Sequence, residues 1–360
     1  MADSVAEQIA ALKDEDWAIR EEAATALGRF GDARAVGPLV CLLRDADRAV
    51  RQAAIEALTA IGDASVPVLG LCLSDPQSSV QEAASSVLSL IADERVLDPL
   101  IAAVKNTNWI VRMHAAKALG RIKDVHAIEP LIPLLQDKVK AVREETATAL
   151  ADIGDAALPS LLEALKHPEW LVRLHAVEAL GKSRSAEAVE PLLWALFNDH
   201  DQAVREDVVR ALGQLGDGRA LEFLVTAMKE PGLRTLAVEA LGKIGDRRAV
   251  PVFIAILEGT DRPLRSQTVA GCGDSWDEEM NTRGAAVRAL AHLADDTAIP
   301  SLLKALEPTV TRADAANALV QYGNKVIAPL LTIMTKTSDE NLRFHVKDAL
   351  ARVGWRAGRV

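Results

Sequence analysis

Three cysteines in 360 residues, Cys41, Cys72 and Cys272, are too few for a disulfide framework and fit a reducing, cytoplasmic setting. No apolar run approaches the ~20 residues of a membrane span, so no membrane partner is expected. The start, MADSVAEQIAAL, has neither a basic n-region nor a cleavage site, and no secretory signal is expected. Basic residues are outnumbered, 41 Lys and Arg against 51 Asp and Glu, for a formal charge of −10. That balance, with no basic stripe, argues against a nucleic-acid partner. The chain has no Ser/His/Asp set, no phosphate-cradling glycine loop and no CxxC pair. Cys272 lies beside Asp274, Asp277, Glu278 and Glu279, and carboxylates raise a thiol pKa, so it is a poor nucleophile. No catalytic residue, cofactor or metal is expected from these absences.

What the chain does have is repetition. An arginine, in most cases following an apolar residue, recurs at Arg20, Arg51, Arg112, Arg143, Arg173, Arg205, Arg234, Arg283, Arg312 and Arg343, with Gln81 in the one gap. Successive markers lie 29 to 32 residues apart, except for 49 between Arg234 and Arg283. Other columns travel with the marker: Ala23, Ala26, Leu27 and Phe30 after Arg20; Thr146, Ala149, Leu150 and Ile153 after Arg143. Between Trp109 and Ile132, Val111, Ala115, Ala118, Leu119 and Ile122 fill one helical stripe. Gly-Asp pairs such as Gly31-Asp32 and Gly216-Asp217 stop one helix, and prolines such as Pro38, Pro67 and Pro159 open the next. One helix pair cannot bury such a stripe alone, so each needs a copy on either side.

The pattern apolar-R-x-x-A-A-x-A-L-G-x-I-G-D-x-x-A-V-x-P-L, as within Asp14 to Leu39, resembles the short HEAT-like repeat of the phycobilisome-lyase type. The resemblance implies an all-α, right-handed α-solenoid of about eleven two-helix repeats. The expected layout is repeats one to eight and the first helix of repeat nine over 1–257. An inserted loop follows over 258–279, then the remaining repeats over 280–354 and a tail over 355–360. The family includes bilin lyase subunits, phycobilisome-turnover proteins, an iron hydroxylase and plain scaffolds. The hydroxylase uses His-Glu dipeptides where this chain reads Met113-His114, Leu174-His175 and Phe344-His345, which disfavours metal-dependent hydroxylation. An aspartate six residues before the arginine (Asp14/Arg20, Asp137/Arg143) is implied by the resemblance to form a ladder between repeats.

The candidate site is a surface. On the second helix of each repeat, the positions opposite the apolar stripe lie three before the arginine and one, two and five after it. Repeat four places Trp109, Met113, His114 and Lys117 there; repeat six places Trp170, Leu174 and His175; repeat five offers Lys140 and Glu144; repeat one offers Trp17. Three of the six tryptophans share this column, and tryptophan and methionine favour interface centres. Trp276 is a further candidate, in the insertion. The expected function is a non-catalytic, protein-binding adaptor or scaffold using a concave face. The rival is a tetrapyrrole-handling protein, a bilin lyase or isomerase subunit or a chromophore-detaching factor, which would need a deep pocket lined by an aromatic and an acidic residue. Trp194, on a first helix, serves as the control.

Overall fold

The computed structural model describes residues 2–230, 232–261 and 274–355, with side chains from Ser4 and, after the second break, from Glu278. The described residues form helices, with no strand among them, arranged as eleven pairs. Repeat one shows how the sequence sets the boundaries. Asp16 is extended (φ −77°, ψ 122°) and its carboxylate accepts the amide of Ala18, starting the helix Trp17–Phe30. Gly31 ends it in the left-handed region (φ 64°), donating its amide to the Leu27 carbonyl. Asp32 then accepts the Arg34 amide and opens a single 3-10 turn, Ala33–Ala35, that runs into the next first helix, Val36–Leu42. Repeat five departs where Pro133 stands in the middle of its first helix. Proline has no amide to donate, and the segment splits into an α turn, Ile128–Leu131, and a 3-10 stretch, Ile132–Gln136.

The core is mostly aliphatic, with Phe253 and Tyr322 buried in it. Leu27, Leu39, Leu43, Leu58, Leu119 and Leu150 are fully buried, and burying each such side chain contributes roughly 1.5–3 kcal/mol. Small residues set how closely the second helices approach. A Cβ on Gly120 would lie 2.5 Å from the Ala149 Cα, and one on Gly28 would lie 2.7 Å from the Ala57 Cα. Helix stacks onto helix there through backbone.

The chain divides into two compact units, Met1–Ser185 with six helix pairs and Ala186–Val360 with five. In repeat nine the first helix, Val250–Glu258, ends at Gly259 (φ 69°). The second helix starts at Asp274 and runs 20 residues to Leu293, so the expected loop over 258–279 is too long at its far end. Residues 262–273, Cys272 included, lie outside the described residues, as does the side chain of Trp276. At the other end, Trp355 is tied by its amide to the Leu350 carbonyl.

Candidate binding surface

The repeated arginine joins repeats. Arg20 donates from Nη1 to the carbonyls of Asp14 (2.9 Å) and Glu15 (3.0 Å), closing the end of its own first helix. Its Nε and Nη2 donate to the Asp45 carboxylate of the next repeat, at 2.8 and 2.9 Å. Arg112 repeats the geometry: carbonyls of Asn106 and Thr107 at 2.8 and 3.0 Å, and the Asp137 carboxylate at 2.7 and 2.8 Å. The ladder therefore exists with a shifted partner. Asp137 gives Arg143 only its carbonyl oxygen, at 2.7 Å; its carboxylate belongs to Arg112. The Arg20 bond holds the Asp45 carboxyl below its ordinary value. For Asp137, burial pushes the pKa up, and the Arg112 bond with the Val139 amide outweighs it. Where the marker is Gln81, the rung is neutral throughout. Gln81 donates to the Asp75 carbonyl (2.6 Å) and accepts from Asn106 (2.9 Å), which stands at the carboxylate position of repeat four.

The rung between repeats five and six is built differently. His167 occupies the carboxylate position, and its Nδ1 accepts the Glu169 amide at 3.1 Å. Arg143 turns instead to His175, donating from Nε to Nε2 at 2.9 Å. With Nε2 accepting, the ring proton sits on Nδ1 and is donated to Glu178 at 2.9 Å. Lys182 bonds the other Glu178 oxygen (2.7 Å) and the Thr148 hydroxyl across the junction (2.8 Å). Burial opposes ionisation of Glu178, but the His175 and Lys182 bonds win and lower its pKa.

This geometry corrects one candidate. His175 is 4% exposed; it lies between second helices rather than on an open face. His114, at the same repeat position, is half-buried with Nδ1 3.1 Å from the Ser85 hydroxyl of repeat three. Burial and then Lys117 hold its pKa below the ordinary value, against an opposing pull from Glu82. The position two after the marker points back at the preceding repeat, which a helix taken in isolation does not reveal.

The tryptophans are open. Trp17, Trp109 and Trp170 are 49%, 40% and 41% exposed, each the first residue of its helix, Trp17–Phe30, Trp109–Ile122 and Trp170–Ser183. Met113, Lys117, Leu174 and Glu144 are half-buried and Lys140 is exposed. Lys140 and Glu144 pair with each other at 3.2 Å, which dulls the charge they offer a partner. Among the described residues no three His, Cys, Asp or Glu side chains converge on a metal position.

Two features escaped the sequence reading. Trp194 is 62% exposed, more than any of the column tryptophans, and shares the helix Val189–Asn198 with Phe197. Phe197 lies 6.3 Å, centroid to centroid, from Phe223 of the helix Leu221–Ala227. The spacing of Trp194 and Phe197, three apart, was the available signal. The second feature is a cleft of about 790 Å³ between the first helices of repeats eight and nine. Its apolar lining is Val225, Met228, Pro251, Val252 and Ala255, and its charged lining includes Glu230, Arg234 and Asp261.

Among the described residues no helix is long and apolar enough to cross a membrane. No curated protein matches the chain. Solved structures similar to it include the Kap95:Nup1 complex, with a TM-score of 0.65 and 15% identity over 98% of this chain and 57% of that one. Importin beta in an ammonium sulfate condition matches with a TM-score of 0.60 and 16% identity, over 96% of this chain and 57% of that one. The karyopherin Kap121p bound to the SUMO protease Ulp1p gives 0.64 and 14%, over 98% and 45%. The chain spans about half the length of these proteins, and at such identity the likeness is one of fold. The family model for HEAT repeats matches residues 5–89, 66–151, 128–193, 158–232, 189–272 and 275–351. The chain is an α-solenoid that belongs to the HEAT-repeat family.

Proposed function

We propose that this protein is a protein-binding adaptor or assembly scaffold, without chemistry of its own, that holds its partner on the concave face of its second helices. The observation that carries this reading is the column of half-exposed tryptophans, Trp17, Trp109 and Trp170, on a chain with only twelve aromatic residues. Met113 and Leu174, a helical turn from Trp109 and Trp170, extend the apolar strip. Isolated apolar residues on a surface need no explanation; the same large residue at one repeat position three times does. Karyopherins of similar fold are seen with protein partners, Kap95 with Nup1 and Kap121p with Ulp1p, which supports the reading by analogy of fold. The same proposal gives Trp276, in the insertion expected over 258–279, a contact with the partner. Cytoplasmic residence is part of it, in keeping with Cys41 and Cys72 as free thiols.

The test is capture of partners from the source cell by the full chain, followed by affinities for single variants. Trp109→Ala and Trp170→Ala should each weaken binding by about 2 kcal/mol or more, the scale of an interface hot spot. Trp194→Ala is the comparison. Loss of binding by Trp194→Ala with Trp109→Ala and Trp170→Ala unchanged moves the interface to the first-helix side and ends this proposal.

A second reading rests only on the resemblance of the repeat pattern to the phycobilisome-lyase type: the handling of a tetrapyrrole, with a bilin lyase-like activity as its enzymatic form. The cleft of about 790 Å³ has the size for a ligand and carries carboxylates. Its described lining contains no aromatic residue, so it meets half of what a tetrapyrrole pocket requires. Visible absorbance co-eluting with the chain from its source cell would favour this reading over the first.

A further inference from the structure

We propose that the junction between repeats five and six is a proton-responsive joint, opened when His175 is protonated. The rungs Arg20–Asp45 and Arg112–Asp137 end on carboxylates, which go on accepting hydrogen bonds throughout the physiological range. Here the acceptor is the Nε2 of His175, 2.9 Å from the Arg143 Nε. An imidazole nitrogen accepts only while it lacks a proton. Protonation makes it a donor, and two N–H groups on two cations then face each other. His175 is 4% exposed, so water is no substitute partner, and Arg143 must move away.

The surrounding charges do not cancel this effect. On its own helix, Glu178 bonds Nδ1 in either state, and its second oxygen is held by Lys182. Arg173 is turned to the carbonyls of His167 and Pro168. On the helix Lys140–Ile153, Glu144 is paired with Lys140, and burial, against the pull of Lys117 and Lys182, holds the half-buried Glu145 carboxyl above its ordinary value; Asp152 is exposed. On the first helix of repeat six and the turn after it, Glu163 and Lys166 pair with each other at 3.0 Å. Protonation therefore tightens the Glu178 contact on one helix while it removes the Arg143 contact between two. Once His175 carries the second proton, the joint loosens across repeats. It lies between Trp109 and Trp170, but its existence does not depend on what those residues bind.

The experiment uses the full chain labelled with ¹⁵N-arginine and follows hydrogen exchange of the Arg143 Nε–H from pH 7.5 to 5.5. Guanidinium exchange is base-catalysed in this range and slows with acid, so faster exchange at pH 5.5 reports opening. His167→Asp restores a carboxylate at the rung position, and His175→Gln supplies an acceptor that takes no proton. In the native chain, exchange at pH 5.5 should be at least tenfold faster than in either variant, with all three alike at pH 7.5. Equal exchange in the native chain and in whichever variants fold, across the whole range, overturns the proposal.

Discussion

Each rung arginine closes the end of one first helix and holds the carboxylate of the next repeat, so its removal leaves two debts: free carbonyls and a nearly buried anion. The Arg112 and Asp137 side chains are 14% and 7% exposed. Truncating one partner of a buried pair costs about 3–5 kcal/mol, and Arg112→Ala should lower the unfolding free energy by about that much in a urea titration. Arg34, 56% exposed beside Asp32, is the contrast: solvent screens the pair, and Arg34→Ala should cost much less than Arg112→Ala. Equal losses from the two substitutions would mean the rung is no stronger than a surface pair. The pH dependence follows from the same residues. The folded state lowers the Asp45 and Asp137 pKa values, so their contribution is complete above the unfolded carboxylate value, about pH 4. It is lost as pH falls through the folded values. Asp137→Asn should flatten part of the stability loss below pH 4, measured as melting temperature against pH. The arginine column was legible in the sequence because it recurs; the carboxylate each arginine binds was not. Asp14 and Asp45 are both present near Arg20 in any reading, and only the stacking of one repeat on the next decides for Asp45. Burial of His175 failed to show for the same reason, since the surface of one helix says nothing of the neighbour that covers it.

At the scale of the helix, glycine plays two parts that the sequence does not separate. Gly120 lies inside its helix, which runs on to Ile122 and is capped by Lys123 at φ 62°. What Gly120 supplies is absence of a side chain against Ala149, where a Cβ would meet backbone at 2.5 Å. Gly120→Ala should therefore destabilise by about 1–3 kcal/mol, the cost of overpacking, despite the roughly 0.5–1 kcal/mol that alanine gains in a helix interior. Gly37 lies in the helix Val36–Leu42 with nothing within 4 Å of an added Cβ. Gly37→Ala should stabilise by about 0.4–1 kcal/mol. Two denaturation midpoints shifted in opposite directions would establish the distinction, and a loss at both positions would mean that Gly37 has a role beyond its helix. The alternation of helix and turn was readable from Gly-Asp stops and early prolines. The split of repeat five's first helix was not, because Pro130 and Pro133 both look like openers when only their spacing is seen.

At the scale of the whole molecule, a solenoid is held by intrinsic repeat stability and nearest-neighbour interfaces, so a contiguous block of repeats needs no distant partner. The division after Ser185 leaves six complete helix pairs in Met1–Ser185, with the rungs Arg20–Asp45 and Arg112–Asp137 and the neutral Gln81–Asn106 rung all inside it. All three column tryptophans are inside it too. The fragment 1–185 should therefore fold alone, with helical content per residue equal to that of the full chain by circular dichroism and a cooperative melt. Its last second helix, Trp170–Ser183, is packed through Arg143, His175 and Lys182 against the second helix of repeat five, Lys140–Ile153, so the cut leaves those contacts in place. If the tryptophan column is the partner's seat, fragment 1–185 retains the captured partner with an affinity within about tenfold of the full chain, a difference of about 1.4 kcal/mol. The fragment 186–360 then fails to bind. A folded 1–185 that does not bind, beside a folded 186–360 that does, would transfer the site to the unit carrying Trp194, Phe197 and Phe223. An unfolded 1–185 would show that these six repeats, unlike the nearest-neighbour expectation, depend on the other five.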